Sequence, residues 1–141
     1  MHGNALKTSE MTTEAQLNKI KHWYLQYYPL CGLCGHAIRD EADLAHIVRR
    51  SYSDKLQTVR LNCMLAHREC HEDYDNNPAL AQFLPRMPEV LYIAWRLDPE
   101  YFYQIADKFP LLSPFFERFP EVEIGEIEHH GELLTLQYLV Q

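Results

Sequence analysis

Two short pairs of metal-seeking residues, Cys31-Gly-Leu-Cys34 and His67-Arg-Glu-Cys70, constrain this chain more than any other feature. A gap of two residues lets one tight turn present two donors to a single ion, and two such turns complete a tetrahedral set. Gly32 and Gly35 let the first turn close so that both thiolates face one point. The spacing predicts a structural Zn2+ held by Cys31, Cys34, His67 and Cys70. Cys63 is the rival third ligand, but a strand separates it from Cys70, and it reads as a small buried apolar residue. A module with few core residues gains much of its order from such a closed site.

A chain of 141 residues is one domain, or a small domain with helical extensions. At 47% hydrophobic residues it can bury a real core. Residues 1–13 are polar and are expected to be mobile. The N-terminus lacks the basic-then-apolar pattern of a signal peptide, and no run is apolar enough to span a bilayer. The expectation is a cytoplasmic protein, where four Cys serve metals rather than disulfides.

Thr13, followed three residues later by Gln16, reads as a capping box. Leu17, Ile20, Tyr24 and Tyr27 then recur at helical spacing. They predict a helix over 14–28, stopped by Pro29, whose aromatic face, with Trp23 nearby, packs on the module at 30–78. Within that module Leu44 to Val48 reads as a first strand and Val59 to Ala66 as a second. Residues 68–77 begin a helix that Pro78 interrupts. Residues 79–141 form a mainly helical acidic extension punctuated by prolines, with short helices over 79–84, 89–97 and 99–109. Asp98 caps the last of these, with Pro99 at its first position. Leu133 to Val140 is an apolar segment, helix or strand, that packs on the core or on another subunit.

Between and onto the two ligand pairs run His46, Asn62 and His71, with nine residues from Asn62 to His71. This order resembles the HNH endonuclease family in its zinc-bearing form, common in phages and mobile elements. The resemblance covers about a third of the chain; the flanks match no family pattern. It implies an α+β fold, a ββα-metal module with a structural zinc knuckle between an N-terminal helix and a helical C-terminal extension. It also implies metal-dependent hydrolysis of DNA phosphodiester bonds. His46 would be the general base that deprotonates water, and its ordinary pKa near ~6.5 suits that task. Asn62 would fasten the loop that carries the base. His71 would bind a catalytic Mg2+, distinct from the zinc. Many members place an Asp just before the base, where this chain has Ala45. Asp75, four residues after His71, would supply an oxygen ligand, and Asp43 lies two residues before Ala45. With so few anionic ligands, Mn2+, Ni2+ or Zn2+ would serve better than Mg2+, since imidazole favours those metals.

The net charge of −7 argues against a simple DNA-binding surface. The acidity is uneven. Residues 1–30 carry three Lys and two acids, residues 31–75 six basic and eight acidic groups, and residues 76–141 four basic and ten acidic. Arg49, Arg50, Lys55, Arg60 and Arg68 form a local positive patch for phosphates, which confers affinity without sequence information. The helices after Pro78 would narrow the substrate to branched or structured DNA or bind a protein partner that supplies targeting, and the C-terminal region would also serve a homo-oligomer. His36 reads as a knuckle-loop residue that either only solvates the loop or touches the phosphate. His22, His129 and His130 read as surface, and the acidic run from Glu121 to Glu132 as a solvated face. The alternatives to the nuclease are a catalytically degenerate zinc module that binds DNA or protein, and a purely structural knuckle in an assembly protein.

Overall fold

The structure, a computed structural model, describes residues 11–121. The expectations for 1–10, for His129 and His130, for Leu133–Val140 and for all but the first residue of the acidic run lie outside these residues. Helix α1 spans Thr13–Tyr27. Its cap is Thr12, one residue earlier than the capping-box reading, and the Thr12 hydroxyl accepts from the Ala15 N–H. The Gln16 amide instead donates to the carbonyl of Met11. Leu17 and Tyr24 are buried as the helical spacing requires, whereas Tyr27 is 61% exposed. The apolar stripe is therefore narrower than its aromatic content suggests.

A two-stranded antiparallel hairpin follows, β1 (Asp43–His46) and β2 (Cys63–Ala66), with Asp43 opposite Ala66 and His46 opposite Cys63. Both strands are shorter than the sequence predicts. The second begins only at Cys63 because Arg60–Asn62 close into a 3-10 turn. The pairing runs on past β1 through a single bond from the Ile47 N–H to the Asn62 carbonyl. Helix α2 (Arg68–Asn76) follows β2 after one residue and gives the order strand, strand, helix.

The chain beyond α2 does not stand apart from the module. Helices α3 (Pro78–Ala81), α4 (Met87–Leu97), α5 (Pro99–Ile105) and α6 (Ser113–Phe116) follow on short connections, with two 3-10 turns between α5 and α6. Prolines stand in the first turn of all four, where a missing N–H costs nothing. The helix expected over 99–109 stops at Ile105, and that expected over 79–84 is a single turn ending at Ala81. Asp98 does cap α5, accepting from the Tyr101 N–H at 3.0 Å. Helix α4 is buried on nearly every side from Met87 to Ala94, as expected of a helix that is apolar all round. It shares one core with Ile47, Val48 and Met64 from the hairpin, Tyr74 from α2, and Tyr101, Phe102 and Phe119. A second, smaller cluster holds α1 to the outer face of the hairpin through Tyr24, Ala42, Cys63 and Leu65.

Two glycines set the approach of the first metal-binding turn to this frame. The Gly32 N–H donates to the Leu65 carbonyl at 2.7 Å, so the turn lies flat on β2. A Cβ there would fall 2.7 Å from the Cβ of Met64, too close for either side to yield. Gly35 has φ +83°, in the left-handed region that other residues resist, and the Arg86 side chain crosses directly over it. The Arg86 N–H also donates to the Leu33 carbonyl, which ties the start of α4 to the same turn. Replacing Gly32 with Ala should cost about 1–3 kcal/mol through overpacking against Met64. Denaturant unfolding of the metal-loaded variant would check this.

Candidate metal centre and cleft

Cys31, Cys34, His67 and Cys70 bring one donor atom each within 4.8 Å of one another and form a Cys3His metal-binding group. Cys34 Sγ lies 3.4 Å from His67 Nδ1, close to the ~3.6 Å that a tetrahedral zinc imposes on adjacent sulfur and nitrogen ligands. Local structure accounts for the placement. Cys31 and Cys34 sit in the turn between the isolated bridge partners Leu30 and Ala37. His67 is the N-cap residue of α2 and Cys70 lies in its first turn, so the positive end of the helix faces the thiolates. Burial raises the Cys31 thiol, but the N–H groups of Cys34, His67 and Leu33 aim at its sulfur and bring it down to about 7. Burial, and then the charge of its sulfur neighbours, push the Cys70 thiol up. Three thiolates this close repel one another, and a bound cation reverses that penalty.

Cys63, the rival ligand, is buried elsewhere. Its thiol faces the Val59 carbonyl at 3.4 Å, and burial pushes it up to about 12. It is a packing residue.

A separate open cleft of about 790 Å³ lies between α1, β1 and α2. Its lining includes His46, His71, Asp75, Asp43, Arg49, Arg50 and Arg68. His46 is only 9% exposed, with its edge turned to the cleft. Its Nε2 lies 2.8 Å from the Gln57 carbonyl. A carbonyl oxygen only accepts, so Nε2 carries the proton and the Nδ1 lone pair is left over. Burial holds the His46 pKa below its ordinary value, with the charges of Arg50 and His71 adding to the effect. Burial thus favours the neutral ring.

Asn62, fully buried, uses its whole amide on backbone. Its Oδ1 accepts from the Val48 N–H at 2.7 Å, and its Nδ2 donates to the carbonyls of Val48 and Leu56, each at 3.0 Å. Asn62 thus ties the residues just after His46 to the loop that supplies the Gln57 carbonyl.

His71 lies between two carboxylates. Its Nδ1 is 3.0 Å from Asp43 Oδ2 and its Nε2 is 3.0 Å from Asp75 Oδ2. The hydrogen bond to Asp75 does most to raise its pKa to about 9, against burial. Asp43 is opposed by burial, but hydrogen bonds from His71 and Arg68 outweigh it and hold the carboxyl below its ordinary range. The pair at 3.0 Å also matches adjacent donors in an octahedral shell with bonds of about 2.1 Å. Nδ1 held by Asp43 would then fix which nitrogen is offered, as a carboxylate behind a ligating imidazole commonly does. His71 Nε2 and Asp75 thus form the histidine–carboxylate pair of the cleft. Ala45 is fully buried in the core and offers nothing to it.

Of the basic residues expected to meet phosphate, Arg49 and Arg50 line the cleft. Lys55 is exposed on the preceding loop and does not line it. Arg60 lies 3.9 Å over the Trp23 ring on α1. His36 is exposed beside the metal-binding group, and His22 is exposed on α1. Sequence reasoning did not find the Gln57 carbonyl, because a backbone acceptor carries no residue signature. It also did not see that Asp43 grips His71. The signal was available in the placement of Asp43 at the start of the strand that pairs with the one leading into α2.

No family model, curated protein or solved structure matches this chain. Among the described residues, no helix is long and apolar enough to cross a membrane.

The purified protein should carry about one zinc per chain, and Cys34→Ser should lose it together with the folded state. Cys63→Ala should keep the metal. Metal analysis after dialysis, read beside far-UV circular dichroism, would separate the two variants.

Proposed function

We propose that the protein is a metal-dependent endonuclease of the HNH type that hydrolyses DNA phosphodiester bonds. One observation carries the reading. His46, its Nε2 committed to the Gln57 carbonyl, lines the same open cleft as the His71–Asp75 pair, while the Cys3His group lies outside that cleft. A structural knuckle alone does not need a second constellation of this kind.

In this reading a strand lies in the cleft with its phosphates against Arg49, Arg50 and Arg68. Arg68 already pairs with Asp43 at 3.0 Å, so it would shift partly toward the phosphate. His46 Nδ1 accepts a proton from the attacking water as its oxygen bonds to phosphorus, and the bond to the 3′ oxygen breaks. The departing oxygen takes a proton from solvent. Asn62 keeps the His46 backbone and the Gln57 carbonyl in fixed relation, so the ring neither rotates nor changes tautomer during the step. His71 Nε2 and Asp75 would hold Mg2+, Mn2+ or Ni2+. When bound, that cation would offset charge on the phosphate and the leaving oxygen. Arginine contacts to the backbone read no base, so cleavage would be nearly nonspecific.

Ala45 supports the second reading, a module that binds DNA or protein without cutting. Its buried methyl stands where an acidic ligand is common in such nucleases.

His46→Ala should lower plasmid cutting by about 10²–10⁴-fold in Mg2+ or Mn2+ while zinc content stays the same. Cutting by the variant at the wild-type rate would remove His46 from the mechanism. The acid limb of the rate profile follows from the depressed His46 pKa. The base stays active through pH 7 and is lost only as pH falls below ~6.5, the value for a free imidazole. A limb centred above that value would contradict the assignment.

A further inference from the structure

Helix α1 lies outside the strand–strand–helix module, yet it grips the loop that orients His46. The residues between Leu56 and Cys63 are held by side chains from three directions. The Leu56 carbonyl accepts from Asn62 Nδ2, the Gln57 carbonyl from His46 Nε2, and the Val59 carbonyl from the Cys63 thiol. The fourth anchor comes from α1. The Tyr24 hydroxyl lies 2.8 Å from the Arg60 carbonyl and 2.8 Å from the Cys63 carbonyl, spanning the turn that contains Asn62. Its single proton is shared between the two. At the preceding helix position, Trp23 takes the Arg60 guanidinium on its ring face at 3.9 Å. Residue 60 is thus held by its backbone and by its side chain, from adjacent positions on one helix.

We infer that Tyr24 is a positioning residue for the His46 base, acting through the Arg60–Cys63 turn, Asn62 and the Gln57 carbonyl. The inference rests on the nuclease reading for its catalytic consequence, but its structural consequence is independent of it. The hydroxyl holds Asn62 at the register where its amide reaches both Val48 and Leu56. That register places the Gln57 carbonyl at 2.8 Å from Nε2. Without the hydroxyl, the turn is free to relax toward α1 or away from it. The carbonyl then drifts from the imidazole, and Nδ1 no longer remains the only unprotonated nitrogen. Tyr24 does not line the cleft, so its effect would reach substrate through this chain of bonds.

The test is Tyr24→Phe, which keeps the ring and its packing on Ala42, Cys63 and Leu65. The control is Ile20→Ala, which weakens the same cluster without touching the turn. Nitrogen-15 NMR of the metal-loaded proteins reads the His46 tautomer directly. Wild type and Ile20→Ala should show one tautomer, protonated at Nε2, and Tyr24→Phe an exchanging mixture. Cutting should fall by about tenfold in kcat for Tyr24→Phe, with KM for DNA held within about twofold. Ile20→Ala should lose melting temperature without that fall. If Tyr24→Phe keeps the single tautomer, or if Ile20→Ala loses it equally, the positioning role is overturned. If wild type does not cut but the tautomer responds as expected, the nuclease reading fails and the positioning role stands.

Discussion

Three thiols and an imidazole packed within 4.8 Å are the constraint on which the rest of the structure depends. Such a group is self-repelling when its sulfurs are charged, so the fold around it is complete only with a cation in place. What the group joins explains its importance. The first turn lies on β2 through Gly32 and against the start of α4 through Leu33 and Arg86. The second pair sits at the head of α2. One ion bound there would fix the hairpin, α2 and α4 to each other, although the hairpin itself has only four residues in each strand.

The cleft depends on that fixation without including it. His71 is the residue after Cys70, so the metal-binding group sets where α2 starts and which side of it faces β1. From there the helical period brings Asp75 beside His71, and the strand start brings Asp43 to its other side. At the far end of β1, His46 bonds the Gln57 carbonyl of the loop that Asn62 fastens. In the proposed nuclease this division is functional. The structural group carries stability, and the cleft keeps one uncharged base and one histidine–carboxylate pair ready for a phosphate. The cleft is not a purely positive surface: Arg49, Arg50 and Arg68 reach it, and so do Glu14, Glu41, Asp43 and Asp75.

Much of this was legible in the sequence, and the reasons differ by residue. The four donors were legible because metal geometry demands their spacing. Asp98 and the helices near it were legible because a cap and a proline together mark a start. Asn62 was legible only through its resemblance to a family order, since a buried amide has no periodic signal. Strand lengths were not legible. Val59 to Leu61 are apolar enough for a strand, with Arg60 between them, yet the 3-10 turn there supplies carbonyls that Tyr24 and Cys63 use. Local pattern cannot weigh such tertiary partners. Thr12 displaced Thr13 as cap for a similar reason, because two adjacent threonines offer the same chemistry and only geometry selects between them. The close fit of α4 against the hairpin was also hidden, because an apolar helix does not name what covers it.

The most direct test of the account is to count cations at two sites in one protein. Zinc-loaded wild type and His71→Ala would be titrated with Mn2+, with bound ion read by electron paramagnetic resonance and zinc by elemental analysis. The account predicts about one zinc in both proteins, and one further Mn2+ in wild type that the variant does not bind. Equal Mn2+ uptake by the two proteins, with zinc retained in both, would contradict a second metal centre at His71 and Asp75.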